Sequence, residues 1–207
     1  MSLNPEQFWN ERYAETNFAY GKAPNIFFKE QIEQLPKVNV LLPAEGEGRN
    51  AVFAAQLGWE VNAFDISSAG KNKALELARE HNVSIDYQVG NLSDLNYPIN
   101  SFSAIGLIYA HFPAQLRSEI HSDLVRLLQP GGTVILEGFS KRNLTYLAKN
   151  SNIGGPANEE MLFSIETIQS EFSDLEIVLL EEKEVELNEG IYHNGLGSVI
   201  RFVGRKK

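Results

Sequence analysis

The stretch Val40-Leu41-Leu42-Pro43-Ala44-Glu45-Gly46-Glu47-Gly48-Arg49-Asn50-Ala51 decides the reading of this chain. An apolar run ends in two glycines flanking one residue, and an amphipathic helix predicted over 50–57 begins at once. Strand, glycine turn and helix in that order bring bare backbone N–H groups and the positive end of a helix against a ligand. The next expected strand, 60–64, runs into Asp65, about 20 residues beyond the turn, where a carboxylate accepts both hydroxyls of a ribose. Together these features indicate a nucleoside-containing cofactor.

Working outward, the chain alternates. Strands are expected at 38–42, 60–64, 84–89, 104–109 and 133–137, separated by helices near 50–57, 67–81 and 114–128. Such alternation implies a parallel sheet with right-handed crossovers, a doubly wound Rossmann-like α/β domain. The connection 90–101 has little room for a full helix. Before the core, Asn4-Pro5-Glu6-Gln7 reads as a capped helix start, and Pro24 as the opening of a second helix with Phe28, Ile32 and Leu35 on one face. After a helix near 164–172, strands at 174–187 and 197–203 follow one another across a turn holding Asn188, Gly190, Asn194 and Gly195. Two strands joined without a helix are antiparallel, so the sheet is expected to end in a hairpin. The boundaries read as one domain over 1–207: N-terminal helices to 36, a cofactor-binding core at 37–139, an acceptor-site segment at 140–162, and the last helix and hairpin at 163–207.

Bulk properties narrow the function. The 207 residues are 43% hydrophobic and 22% charged, as in an ordinary globular domain. Eighteen cations against 27 anions give a net charge of −9, which disfavours nucleic acid as a partner. There is no cysteine, which removes disulfides, thiolate nucleophiles and cysteine metal clusters, and suits a reducing compartment. No apolar run approaches a membrane span of about 20 residues and no signal peptide is visible, so a cytoplasmic location is expected. Met1-Ser2-Leu3 reads in part as an expression remnant. His, Asp and Glu show no metal-ligand spacing, and no metal is expected. The oligomeric state is not legible.

Gly46-x-Gly48-x-x-Ala51 fits a dinucleotide fingerprint and the G-x-G of an adenosylmethionine site equally well. Four patches in order are more specific. The glycine turn, Gly58-Trp59-Glu60-Val61 with Phe64-Asp65-Ile66-Ser67, Leu107-Ile108-Tyr109-Ala110-His111-Phe112-Pro113, and Leu128-Gln129-Pro130-Gly131-Gly132-Thr133 resemble small bacterial class I S-adenosylmethionine-dependent methyltransferases. The nearest group contains the tellurite-resistance and thiopurine-type enzymes, and the likeness covers nearly the whole chain. The resemblance implies that Gly46 and Gly48 pass the cofactor's methionine part beneath the helix starting near Arg49. Asp65 would hold the ribose diol and Ile66 pack against adenine. Asn91, by its side-chain amide, and Leu92, by its N–H, would meet the adenine edge. Tyr109 would floor the methyl-donor site, and Tyr20-Gly21 matches an element that closes over the cofactor. The chain departs from the group at Leu42, where an Asp usually helps hold the cofactor's ammonium; Glu45 is the candidate replacement.

Methyl transfer needs alignment, exclusion of water and, for a protonated acceptor, a base. Candidates are His111 after the fourth strand and His193 in the C-terminal turn. Glu189-Gly190-Ile191-Tyr192-His193 with Arg201 resembles a stretch that faces the acceptor in tellurite-type enzymes. Each has a structural alternative: His111 as a loop cap before Ala114, His193 as a surface turn residue, Arg201 paired with Glu184 or Glu186. Segment 140–162, with Gly154-Gly155-Pro156, is expected to set specificity and to form a lid with the N-terminal helices, and Phe18, Tyr20, Tyr146 and Phe163 to line the pocket. The reading is methyl transfer to a small molecule or small oxyanion. Its rivals are an NAD-dependent oxidoreductase, for which the glycine turn and Asp65 also serve but against which stand the C-terminal hairpin and this chain's lack of a Tyr-x-x-x-Lys pair, and a non-catalytic adenosylmethionine-binding protein.

Overall fold

A computed structural model describes residues 4–207; the expected remnant Met1-Ser2-Leu3 lies outside the described residues. The elements run α1 (Pro5–Tyr13), α2 (Ile26–Ile32), β1 (Asn39–Pro43), α3 (Arg49–Gln56), β2 (Glu60–Asp65), α4 (Ser68–Glu80), β3 (Asp86–Val89), β4 (Phe102–Ile108), α5 (Ala114–Leu127), β5 (Leu128–Phe139), α6 (Asn143–Leu147), α7 (Ile165–Glu171), β6 (Leu175–Glu189) and β7 (His193–Lys206). Strand order is β3-β2-β1-β4-β5-β7-β6. This is the expected Rossmann-like α/β sheet closed by an antiparallel C-terminal hairpin. The chain divides into two compact units, one reaching to Asn96 and taking in Glu189–Ile191, the other formed by Tyr97–Asn188 and Tyr192–Lys207.

In the first unit β1 pairs parallel with β2 from Asn39↔Glu60 to Pro43↔Phe64, and β2 with β3 from Asn62↔Asp86 to Asp65↔Val89. Val40, Leu41 and Leu42 are fully buried, as an unbroken apolar run in a covered parallel strand requires. Helix α3 sets Val52 against Leu77 and Ala78 of α4, and Phe18 packs on the same cluster. Capping ties α1 to α4: the Asn10 carboxamide oxygen accepts from Ala69 N–H at 3.1 Å and from Ser67 Oγ at 2.8 Å. The second helix begins two residues later than expected, at Ile26, because Asn25 caps it, accepting from Phe28 N–H at 2.9 Å. Between β3 and β4 there is only a 3-10 turn, Leu92–Asp94.

In the second unit β4 pairs parallel with β5, and β5 antiparallel with β7 from Thr133↔Arg205 to Phe139↔Val199. The turn expected at Leu128–Thr133 is instead an excursion within β5: Phe102 pairs with Leu128 and Ala104 with Thr133, so the residues between bulge outward. The final hairpin is longer and tighter than its sequence suggested. Only Gly190, Ile191 and Tyr192 lie outside its strands, and Asn188, Asn194 and Gly195 are strand residues.

The hairpin tip makes a close backbone approach within the first unit. Ile191 N–H donates to Ala19 O at 3.0 Å, and a Cβ on Gly190, whose φ is +63°, would lie 2.3 Å from Ala19 O and 2.5 Å from Gly21 N. Gly131 has a comparable φ of +77° but meets nothing within 4 Å. Gly190→Ala is therefore expected to destabilise by clearly more than the ~1–2 kcal/mol that a left-handed alanine costs by itself, and Gly131→Ala by about that amount. Equal losses in urea unfolding would refute the contact.

Candidate functional site

The glycine turn is held by its neighbours' side chains. Gly48 caps α3 with φ +84° and has no side chain to satisfy the first amides of the helix. Glu45 supplies what is missing: its Oε1 accepts from Asn50 N–H at 2.9 Å and Ala51 N–H at 2.8 Å. Burial raises the Glu45 carboxyl from 4.5 to about 7 despite these bonds. Its Oε1 is thus engaged by the helix end, while Oε2 lies 3.5 Å from Asn50 Nδ2. Gly48 is also where α3 meets α4, because a Cβ there would lie 2.5 Å from that of Ala74.

Asp65 ends β2 beside this turn. Its Oδ2 accepts from Gly46 N–H at 3.0 Å and its Oδ1 from Ser67 N–H at 2.8 Å. Burial raises its pKa from 3.8 to about 6, against the pull of the backbone N–H groups. The Ile66 N–H also bonds this carboxylate, so the backbone holds it in place and a lone pair remains to accept from a ligand hydroxyl. The Gly46 carbonyl accepts from Tyr87 Oη at 2.6 Å. Half-buried Ile66 follows Asp65. Ala44, at the end of β1, adopts φ +51°, a strained setting of the kind that clusters at ligand sites. Beyond the carboxyl end of β1, where the strand order reverses, is where ligands bind in open α/β sheets. These residues fit a nucleoside.

The remaining residues of the turn anchor a strap formed by Ala14–Asn25. Glu47 accepts from Ala19 N–H at 2.7 Å and pairs with Lys73 at 2.8 Å. Asn50 Oδ1 accepts from Asn25 N–H at 2.9 Å. Arg49 donates to Tyr20 O at 3.4 Å and pairs with Glu189 at 3.0 Å, where Glu189 also accepts from Asn25 Nδ2 at 3.1 Å. Tyr20 Oη accepts from Arg12 at 3.0 Å, and burial raises its pKa although Arg12 opposes this. Gly21 sits against Gly190. Thus Tyr20, Gly21, Glu45, Gly46, Gly48, Arg49 and Asp65 come together. Asn91 is exposed, and its side-chain amide donates to Asp94 at 3.2 Å, so the adenine contact expected of that amide competes with this bond. Leu92 opens the 3-10 turn, which leaves its N–H outside the turn's own bonds.

In the second unit, Tyr109 follows β4 with φ +53°. Its N–H donates to Glu137 O at 2.7 Å and its Oη to Glu137 Oε1 at 3.1 Å. Glu137 Oε2 accepts from Arg201 Nε at 2.5 Å, a pairing set by the register Glu137↔Arg201. Arg201 thus pairs with Glu137 on β5, and Glu184 meets Arg142 and Tyr146. His193 is not in a turn: it opens β7, is buried, and meets the Tyr109 ring edge-on at 4.5 Å and Phe139 at 5.1 Å. Sequence reasoning passed over Glu137, although an acid inside Val134-Ile135-Leu136-Glu137-Gly138-Phe139 signals a buried carboxylate that needs partners.

His111 requires a correction. Its Nδ1 lies 2.9 Å from Met161 O and so carries the proton, while its Nε2 accepts from Phe139 N–H at 3.1 Å. Burial lowers its pKa to about 4. A neutral imidazole with both nitrogens bonded to backbone ties β5 to the segment before α7 and is not placed as a general base. Segment 140–162 is likewise packed rather than loose. Ile153 and Leu162 join Phe139, Leu187 and Val199 in one core cluster, and Asn143 bonds Ser198 N–H and Gly154 O, each at 3.1 Å. Of the expected pocket aromatics, Phe163 is core, stacked on His111 at 4.9 Å, and Phe18 packs on Val52 and Leu77. His121 is fully buried beside Glu171. Among the described residues no His, Asp and Glu side chains gather as metal ligands.

Residues 40–132 match the family model of a methyltransferase domain. No curated protein matches the chain in sequence. Among solved structures, one from work on the conversion of a disulfide bond into a thioacetal group during echinomycin biosynthesis aligns with TM-score 0.78 and 16% identity over 99% of this chain and 93% of its own. TehB from Haemophilus influenzae aligns with TM-score 0.71 and 17% identity over 98% of this chain and 67% of its own. Magnesium protoporphyrin IX methyltransferase from Synechocystis PCC 6803, solved with bound SAH, aligns with TM-score 0.66 and 17% identity over 100% and 90%. Residues 40–132 thus match a methyltransferase domain, and the chain shares the Rossmann-like fold of these solved structures.

The shifted groups have opposite effects on stability. Asp65, raised to about 6, contributes stability that is present below pH 3.8 and lost as pH rises through 6. His111, lowered from 6.5 to about 4, contributes stability that is present above pH 6.5 and lost as pH falls through 4. Removing the first should unmask the second. Urea midpoints of Asp65→Asn are expected to climb more steeply between pH 4 and 6 than those of the native protein, and parallel profiles would refute the shift.

Proposed function

We propose that this protein is an S-adenosylmethionine-dependent methyltransferase acting in the cytoplasm on a small molecule or small oxyanion. The observation that carries the reading is the Asp65 carboxylate set against Gly46 N–H beyond the carboxyl end of β1, within the segment matched as a methyltransferase domain. Support comes also from the antiparallel β5–β7 pairing, which a nicotinamide-binding Rossmann domain does not call for, and from the SAH bound by a structural neighbour.

When bound, S-adenosylmethionine supplies an activated methyl carbon, so the protein needs no nucleophile of its own and the lack of cysteine is no handicap. In this reading Asp65 accepts the ribose hydroxyls, Ile66 packs against adenine, and Leu92 N–H with Asn91 meets the adenine edge. The strap through Tyr20 and Gly21, clasped by Glu47, Arg49 and Glu189, keeps water from the glycine turn. In the second unit Tyr109 offers an aromatic floor and His193 is the candidate to take a proton from a protonated acceptor.

The rivals find little support. Tyr146 Oη is engaged by Glu184, unlike the tyrosine of a hydride-transfer site. Among the described residues, none of the exposed large apolar side chains falls in segment 140–162, where a partner-dependent protein would need one. Nor is any described helix long and apolar enough to cross a membrane.

Thermal unfolding with S-adenosylmethionine, S-adenosylhomocysteine, NAD and NADP in parallel tests the reading. A ligand at 100 times its dissociation constant adds about 2.7 kcal/mol to the native state. The midpoint is expected to rise with the first two alone; a rise with NAD or NADP instead would transfer the site to oxidoreductase chemistry.

A further inference from the structure

We infer that Glu137 is a positioning residue that sets the Tyr109 ring against His193, an inference that rests on the methyl-transfer reading for its purpose. Glu137 is 2% exposed in the middle of an apolar strand, where an isolated carboxylate is costly to bury. It touches Tyr109 twice, through its carbonyl to the Tyr109 N–H at 2.7 Å and through Oε1 to the hydroxyl at 3.1 Å. Its other oxygen is fixed by Arg201 at 2.5 Å, so the carboxylate has little freedom to turn. One residue therefore holds Tyr109 at the backbone and at the ring tip.

Tyr109 needs that hold. A bulky residue at φ +53° sits in a backbone region it would otherwise avoid, by about 1–2 kcal/mol, and persists only where its surroundings over-determine it. Held there, its ring lies 4.5 Å from the His193 ring and 4.8 Å from that of Phe139. Gly154 completes the enclosure of His193, since a Cβ there would lie 2.7 Å from His193 Cδ2. Apolar residues often replace a buried ion pair without loss of stability, so stability does not explain the Glu137–Arg201 pair. A single geometry for Tyr109, and through it for the imidazole the acceptor would meet, does.

The test uses the full chain. His193 ring-proton resonances, assigned among the four histidines by their loss in His193→Gln, are followed in Glu137→Gln, Tyr109→Phe, their combination, and Glu137→Leu/Arg201→Leu. Glu137→Gln and Tyr109→Phe are each expected to displace the His193 signal, and the combination to add nothing, because both break one hydroxyl contact. The leucine pair is expected to displace it as well while keeping the unfolding midpoint of the native protein. A His193 signal unchanged in Glu137→Gln, or displaced additively by the two single variants, would overturn the inference. Failure of the native protein to bind S-adenosylhomocysteine would sink the methyl-transfer reading instead, and the His193 signals would still decide the positioning role.

Discussion

A turn built on glycine must have its polar groups satisfied by residues elsewhere, and the first unit is organised around that need. Gly48 begins α3 without a capping side chain, so Glu45 reaches forward to the Asn50 and Ala51 amides. Gly46 directs its N–H at Asp65 and its carbonyl at Tyr87. The polar residues between and after the glycines then reach outward, Glu47 to Ala19, Arg49 to Glu189 and Asn50 to Asn25. The same constraint that closes the turn draws the N-terminal strap and the hairpin tip over it. A cation at the first position of α3 opposes the helix dipole, and the Glu189 carboxylate offsets that conflict.

Burial governs the second unit in a different way. His111 stays neutral because its surroundings favour the uncharged ring and its two nitrogens are spent on backbone groups. Glu137 and Arg201 are buried charged and together, each supplying the partner the other requires. The first arrangement removes a residue from proton transfer, whereas the second fixes an aromatic ring beside His193. The division of labour among these side chains follows from whether burial was met by neutrality or by pairing.

Much of this was legible in the chain. The alternation of apolar strands with amphipathic helices carried the sheet, and two strands without an intervening helix carried the antiparallel ending, because both depend on periodicity and connection length alone. Gly46, Gly48 and Asp65 were legible because the turn and its acid are local in sequence. Roles that depend on long-range register were not. Arg201 looked as if it would pair with Glu184 or Glu186, but its partner Glu137 lies on β5. His193 looked like a turn residue because four turn-forming residues surround it, yet the hairpin tip closes in three residues and leaves it buried. The part Glu45 plays at the start of α3 was not legible, because it depends on its side chain turning forward to the Asn50 and Ala51 amides.

The central claim is that Asp65, beside the glycine turn, receives a ribose diol. Calorimetric titration of the protein with S-adenosylhomocysteine at pH 6, in two buffers of different ionisation enthalpy, tests it most directly. Burial holds the free carboxyl near its midpoint at that pH, and hydroxyl donors favour its charged form, so binding should release a fraction of a proton and tighten from pH 5 to 7. Binding without proton release, or with uptake, would contradict the assignment of Asp65 to the ribose.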